Sequence, residues 1–267
     1  MADQVLVDVI DGVQIITIDR PNSRNAIDMK TAKAIGAAMQ ELDKRDDLRA
    51  CVLTGTGSVF CAGTDLKAFV AGEPAPVVPG RGFAGFIESP PDKPLIAAVN
   101  GFALGGGMEI VLACDLVVAD ETAMFGLPEV KRALLAGAGG LMRLPRRVPY
   151  QLAMEMALTG EPISAAVAKQ AGLVNRLTAA GESRTVAIEL GQKIAKNGPM
   201  AVRSTKEILI KSRDWSSEEE FERMWEIYAP VRSSADAYEG ALAFREGRAP
   251  RWGATHQDMP AYFAHRQ

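Results

Sequence analysis

Along the first half of the chain, apolar positions switch between the two-residue period of strands and the longer period of helices. Residues 5–10 and 13–19 read as two strands, and Asp11-Gly12 between them is a hairpin signal. Asp28 stands where a helix cap belongs. Ala32, Ile35, Ala38, Met39 and Leu42 follow at helical spacing, predicting a helix that runs to about Asp46. Residues 50–53 read as a buried strand, ended by Thr54-Gly55-Thr56-Gly57, and a short segment follows at 65–70. Residues 71–79, rich in proline, glycine and alanine, predict a mobile surface loop. They are not a domain linker, because the β/α pattern resumes after them. A strand at 95–100, a run of glycines, a helix at about 106–113 and a strand at 116–119 complete this half. Strands alternating with helices imply a largely parallel arrangement.

From about Tyr150 the pattern turns helical. Residues 182–197, 200–211, 217–228 and 234–245 carry helix-like periodicity, with Pro199 and Pro230 as breaks. The expected organisation is therefore an α/β core over residues 1–198 and a helical region over 199–267. No tandem repeat or low-complexity tract interrupts it.

Composition narrows the function more than the fold. Of 267 residues, 48% are hydrophobic and 24% charged, so a sizeable core is expected. The formal net charge of −3 offers no broad attraction to nucleic acid or to an anionic membrane. No apolar run approaches the roughly 18 residues of a membrane-spanning helix. The first residues, Met1-Ala2-Asp3-Gln4-Val5, show no basic region leading into an apolar one. The expected compartment is the cytoplasm. Cys51, Cys61 and Cys114 form no C-x-x-C pair, and an odd count argues against a disulfide framework. Cys51 and Cys114 lie in apolar runs and read as buried small hydrophobes. Cys61 precedes a glycine-containing loop, where a reactive thiol is an alternative to a structural one.

Candidate chemistry is reached largely by elimination. The only histidines, His256 and His265, stand in the last dozen residues, a poor place for a rigid Ser–His or Cys–His relay. Zinc sites built from several Cys and His lose their ligands on the same count, and no metal is expected. Gly105-Gly106-Gly107 is followed by Met108, Glu109 and Ile110, so it is not G-x-G-x-x-G, and no P-loop string occurs. Two glycine-bearing turns and two glutamates remain. The first turn is Phe60-Cys61-Ala62-Gly63-Thr64-Asp65-Leu66. The second runs from Asn100 to Glu109 and leads from a strand into a helix. Successive glycines let a ligand approach the main chain, and a helix start supplies unpaired N–H groups with a partial positive charge. Together they are able to form an oxyanion hole, or they serve only as tight turns. Glu109 and Glu129 also have plain alternatives. Glu109 favours the helix dipole, and Glu129 begins a helix or pairs with Lys131 or Arg132.

At these residues the chain resembles the crotonase superfamily, specifically its enoyl-CoA hydratase branch. The resemblance covers about residues 5–253. It rests on Arg20-Pro21 with Asn25-Ala26, Ala62-Gly63-Thr64-Asp65-Leu66-Lys67, Ala97-Ala98-Val99-Asn100-Gly101 and the run from Gly105 to Glu109. Cys114-Asp115, Phe125-Gly126-Leu127-Pro128-Glu129, Gly137-Ala138-Gly139-Gly140 and Ala168-Lys169-Gln170-Ala171-Gly172-Leu173-Val174 continue it. Any one string is weak; their order and spacing are specific.

The resemblance implies an α/β fold of the crotonase type, a spiral of β-β-α units with a C-terminal helical trimerisation region, assembled as a homotrimer or as a homohexamer that is a dimer of trimers. It implies that the backbone N–H groups of Thr64 and Gly106 hold a thioester carbonyl oxygen. Residues 64–67 (Thr64, Asp65, Leu66 and Lys67) would line the acyl-CoA path, with Ala26 and Ala62 beside the adenine end. Coenzyme A would be part of the acyl-CoA substrate, and no separate cofactor is expected. Glu109 and Glu129 fall on the family's paired catalytic positions. The implied function is a lyase of fatty acid metabolism, an enoyl-CoA hydratase adding water across a 2,3 double bond. Other readings stay open: a carnitinyl-CoA-type dehydratase, a Δ3,Δ2-isomerase, or non-catalytic binding of acyl-CoA or RNA. Leu127, where many short-chain hydratases carry glutamine, and the absence of a proline in Arg132-Ala133-Leu134-Leu135-Ala136 depart from the pattern. Both border the implied acyl pocket, so they imply a bulkier or less ordinary acyl group, with carnitinyl, steroid and terpenoid types among the candidates. Arg248, in the Phe244-to-Pro250 segment, implies either a contact to a coenzyme A phosphate or a solvated helix-end charge.

Overall fold

A computed structural model describes residues 4–255. The chain opens with strands β1 (Val5–Ile10) and β2 (Val13–Ile18), helix α1 (Met29–Lys44), β3 (Ala50–Gly55), β4 (Val59–Cys61) and α2 (Leu66–Val70). Next come β5 (Val77–Val78), β6 (Gly82–Phe83), β7 (Leu95–Val99), β8 (Phe102–Leu104), α3 (Gly106–Ala113), β9 (Leu116–Asp120) and β10 (Met124–Gly126). A 3₁₀ turn at Pro128–Arg132 leads to α4 (Gly140–Arg143), α5 (Tyr150–Thr159), β11 (Ile163–Ser164), α6 (Ala165–Gln170), β12 (Arg176–Thr178) and α7 (Ser183–Ala195). Helices α8 (Pro199–Lys211), α9 (Glu220–Arg232) and α10 (Ala235–Glu246) end the described chain.

The β1–β2 hairpin closes because Asp11 and Gly12 both take positive φ, the conformation a two-residue turn needs. Helix α1 starts where Asp28 Oδ1 accepts the Thr31 N–H at 2.7 Å, and it buries Ala32, Ile35, Met39 and Leu42. Strands β2, β3 and β7 are buried on both faces, which is why they read as unbroken apolar runs.

Two sheets grow together from one repeating path. The larger is ordered β1-β2-β3-β7-β9-β12 and the smaller β11-β10-β8-β4. In β3-β4-α2, β7-β8-α3 and β9-β10 with its 3₁₀ turn, the first strand joins the larger sheet and the second joins the smaller. Each such strand lies parallel to its counterpart in the next turn. This is the expected α/β spiral of β-β-α units. Its consequence is positional: the chain leaves β4, β8 and β10 at the same end of the small sheet, side by side.

Several local expectations change. The supposed surface loop at 71–79 carries β5, which pairs with β6 after a turn. The glycine turn from Asn100 to Glu109 contains β8, and β4 and β10 are equally short. Pro199 opens α8 as its first residue, where its missing N–H costs nothing. Pro230 does not end α9, which continues to Arg232; so near the C-terminus, little helix remains for the proline to disrupt.

Two compact units are present, up to Gln192 and from Lys193, so the division falls within α7. In the second, Trp252 donates its indole N–H to the Lys196 carbonyl at 2.8 Å, and Trp225 meets Tyr228 edge to face at 5.2 Å. Among the described residues no helix is long and apolar enough to cross a membrane. His256 and His265 lie outside the described residues, as do Met1, Ala2 and Asp3.

Candidate active site

The three chain exits from the small sheet build the site. After β4, residues 62–65 run beside residues 24–27. Ala62 N–H donates to Arg24 O at 3.1 Å, Ile27 N–H to Gly63 O at 2.8 Å and Asp65 N–H to Ile27 O at 2.9 Å. Ile27 and Thr64 thus form a parallel bridge. Because successive peptide groups along a strand point to opposite sides, the Thr64 N–H is turned away from Ile27. After β8, Gly106 is the first residue of α3, so its N–H has no acceptor within the helix. Neither N–H has a protein acceptor among the described residues.

These two segments nearly touch. A Cβ on Gly63 would lie 2.8 Å from the Gly106 nitrogen and 3.0 Å from Leu104 O, and Gly63 has φ +91°. A Cβ on Gly106 would meet the Phe83 ring at 2.5 Å, and one on Gly107 would sit 2.1 Å from Cys61 O. The glycines are therefore a packing requirement as well as an opening for a ligand. Of the remaining sequence-predicted residues, Ala26 and Ala62 lie on these adjoining segments. Leu66 and Lys67 are exposed on α2. Asp65 is committed to the fold: its carboxylate accepts the Lys67 N–H at 3.0 Å, capping α2, and Arg20 at 3.0 Å.

Both glutamates come to the same place. Glu109 sits three residues beyond Gly106 on α3 and is only 4% exposed, with Oε1 accepting the Gly140 N–H at 2.8 Å. Burial pushes its proton affinity up to about 7. The Gly140 N–H acts against that rise, and the negative charge of Glu129 adds to it. Glu129 arrives from the exit of β10. Its Oε1 would lie 3.2 Å from a Cβ on Gly105, which places the carboxyl against the glycine preceding α3. Burial raises Glu129 as well, and its Oε2 is buried with no hydrogen-bond partner. Its helix-start position is real, but Lys131 pairs instead with Glu161. Two carboxyls of raised proton affinity, interacting with each other beside open N–H groups, are equipped to hold and pass a single proton.

The other residues singled out in the sequence have structural partners or burial of their own. Cys61 is fully buried and its thiol is pushed up to about 12, so no reactive thiolate forms there. Cys51 and Cys114 are buried, as expected. Arg248 is held by Glu239 at 2.6 and 2.9 Å and by Glu246 at 2.7 Å. Sequence reasoning gave no role to Gly140, the donor to Glu109, or to Phe83, whose ring backs Gly106. Neither has a local signal, since each meets its partner across more than twenty residues.

The family model described as enoyl-CoA hydratase/isomerase matches residues 8–255. A carnitinyl-CoA dehydratase of Proteus mirabilis is 41% identical over 244 residues, covering 89% of this chain and 93% of that protein. The crystal structure of an enoyl-CoA hydratase from Mycobacterium marinum superposes with a TM-score of 0.92 at 51% identity, covering 95% of this chain and 100% of the other. That of a carnitinyl-CoA hydratase from Mycobacterium avium gives 0.76 at 41% identity, covering 95% and 99%.

Proposed function

The chain belongs to the enoyl-CoA hydratase/isomerase family, and on that premise we propose that it is an enoyl-CoA hydratase. It adds water to a 2-enoyl-CoA to give the 3-hydroxyacyl-CoA, or runs the reverse dehydration. One observation carries this reading: Glu109 and Glu129, both raised and mutually interacting, stand beside the open N–H of Gly106. Ionised Glu109 takes a proton from water as its oxygen bonds to Cβ. The electron pair of the double bond moves onto the thioester oxygen, held by the Thr64 and Gly106 N–H groups. Protonated Glu129 then delivers its proton to Cα, and the proton on Glu109 resets the pair. Coenzyme A enters as part of the substrate, along residues 64–67 with Ala26 and Ala62. The exposed Phe221, Trp225 and Phe244 of the helical unit suit a homotrimer or a dimer of trimers.

A second reading keeps every atom of this step but assigns it to carnitinyl-CoA. The 41% identity to a carnitinyl-CoA dehydratase favours it, while the 51% identity to an enoyl-CoA hydratase favours the first. The deciding assay follows the loss of enoyl-thioester absorbance with 2-enoyl-CoA esters from crotonyl to long and polycyclic chains. Carnitinyl-CoA is run beside them in the dehydration direction. Turnover of the plain enoyl series above that of the trimethylammonium substrate is expected. The reverse ranking would move the assignment to the second reading, and no turnover of either would end both.

The same assay has a pH signature. The step needs one proton on the pair, and the charge of Glu129 is part of what raises Glu109, so the last proton leaves at about 7. kcat/KM should therefore fall as pH rises through about 7. A falling limb at the ordinary carboxylate value of 4.5 would mean that burial does not govern the pair.

A further inference from the structure

Glu109 owes its hydrogen bond to a glycine-rich turn that opens α4. Residues 137–140 are Gly-Ala-Gly-Gly; the Gly140 N–H donates to the Glu109 carboxylate at 2.8 Å, and the Ala138 backbone also favours its charge. Gly139 has φ +95°, and a Cβ on Gly137 would meet nothing nearer than 3.9 Å. Ala138 packs against the core and Gly139 and Gly140 are buried, but Ala138 is the one residue of the four with a side chain to hold.

Arg143, the last residue of α4, adds a polar tie. Its side chain folds back so that Nη1 donates to Ala138 O at 3.3 Å and Nη2 to Ile87 O at 2.7 Å. A Cβ on Gly139 would lie 2.4 Å from Nη1, so the guanidinium lies directly on the loop. Ile87 is on the segment that carries Phe83, the ring packed against Gly106. One planar fork thus ties the donors of Glu109 to the wall behind an oxyanion-hole residue.

We propose that Arg143 is a positioning residue for the reaction: it clamps the 138–140 donors onto Glu109 and sets a positive charge against that of Glu129. The kinetic part of this rests on the two-carboxylate reading above. The charges around the pair are few. Glu109 faces Glu129 from the 3₁₀ turn and Arg143 from α4, and Glu129 faces Arg132. Arg143 in turn faces Glu109 and Glu88, with Arg146 and Arg147 opposing it. Arg143 and the backbone donors favour the ionised form of Glu109, while burial and Glu129 disfavour it.

The test compares Arg143→Gln and Arg143→Lys with wild type. Glu109 is titrated by carbon-13 NMR of labelled glutamate, its resonance assigned by its absence in Glu109→Gln. In Arg143→Gln the titration should move up by about one unit, the low end for loss of a nearby opposite charge. The falling limb of kcat/KM should move with it, and the form with Glu109 ionised and Glu129 protonated should become about tenfold scarcer, leaving turnover about tenfold lower. Arg143→Lys keeps a cation but cannot fork between the two carbonyls. It should restore the titration and not the full kcat. A merely structural pin would lower activity with the titration unmoved, and that result in Arg143→Gln overturns the proposal. Should the glutamine variant not fold, a lysine variant with wild-type kcat overturns it instead. If wild type turns over no enoyl-CoA, the hydratase reading fails, yet the NMR titration still decides the role of Arg143.

Discussion

Glu109→Gln and Glu129→Gln are each expected to cut hydration of a good 2-enoyl-CoA by about 10²–10⁴-fold, the usual loss for a positioned acid or base. The amide keeps nearly the size of the carboxyl. In Glu109→Gln its oxygen still accepts the Gly140 N–H, so the protein should fold and bind acyl-CoA. Because the two groups share one water and one proton, their losses should not multiply. The double variant should fall little below the worse single one. A Glu129→Gln enzyme within a few-fold of wild type would remove Glu129 from proton delivery and point to an isomerase, which manages with one carboxylate. Multiplying losses would show that the groups act in separate steps.

Stability should move the other way in Glu109→Gln. The native carboxyl holds its proton up to about 7, whereas the unfolded chain loses it near 4.5. Between those values the native state binds more protons, so stability falls as pH rises through this window. Above it, wild type bears the full cost of a buried anion, on the order of 1–3 kcal/mol. Glutamine carries no such charge. Thermal unfolding at neutral pH should therefore show the variant more stable than wild type, and the difference should vanish near pH 4. Equal stability at both pH values would place Glu109 in better-solvated surroundings than its 4% exposure indicates.

The elements most legible in the sequence were those whose period had room to show itself. Helix α1, with its Asp28 cap, and helix α3 both emerge from local pattern, as do strands β2, β3 and β7. Strands β4, β8 and β10 do not, because three residues hold no period and glycine surrounds them. Yet those three strands assemble the site. They lie side by side, so Thr64, Gly106 and Glu129 meet although 65 positions separate the first from the last. Nothing in the spacing announces that meeting; the family resemblance supplied it. Asp65 also carries a local signal. An aspartate ahead of a short helix is a cap signal, and capping is what its carboxylate does. Arg143 gave no signal at all, since its acceptors are backbone carbonyls, one of them 56 residues upstream.

The close approach of Gly63 to Gly106 supports the other large effect. Gly63→Ala should lower kcat by about 10²–10³-fold, the loss associated with one oxyanion donor, while leaving acyl-CoA affinity nearly unchanged. Two consequences of the added methyl need separating. At φ +91° any side chain is strained, which costs on the order of 1–2 kcal/mol of stability. The methyl also lands 2.8 Å from the Gly106 nitrogen, so the segments bearing the two N–H groups must part. Gly172 supplies the control. Its φ is +86°, and a Cβ there meets nothing within 4 Å. Gly172→Ala should share the stability loss and keep turnover. If Gly63→Ala were equally destabilised but still active, strain alone would account for it, and the Gly106 N–H would not be a donor to the thioester oxygen. A collapse of kcat confined to Gly63→Ala, with binding of a non-reactive acyl-CoA intact, is what an oxyanion hole built from two touching backbones requires.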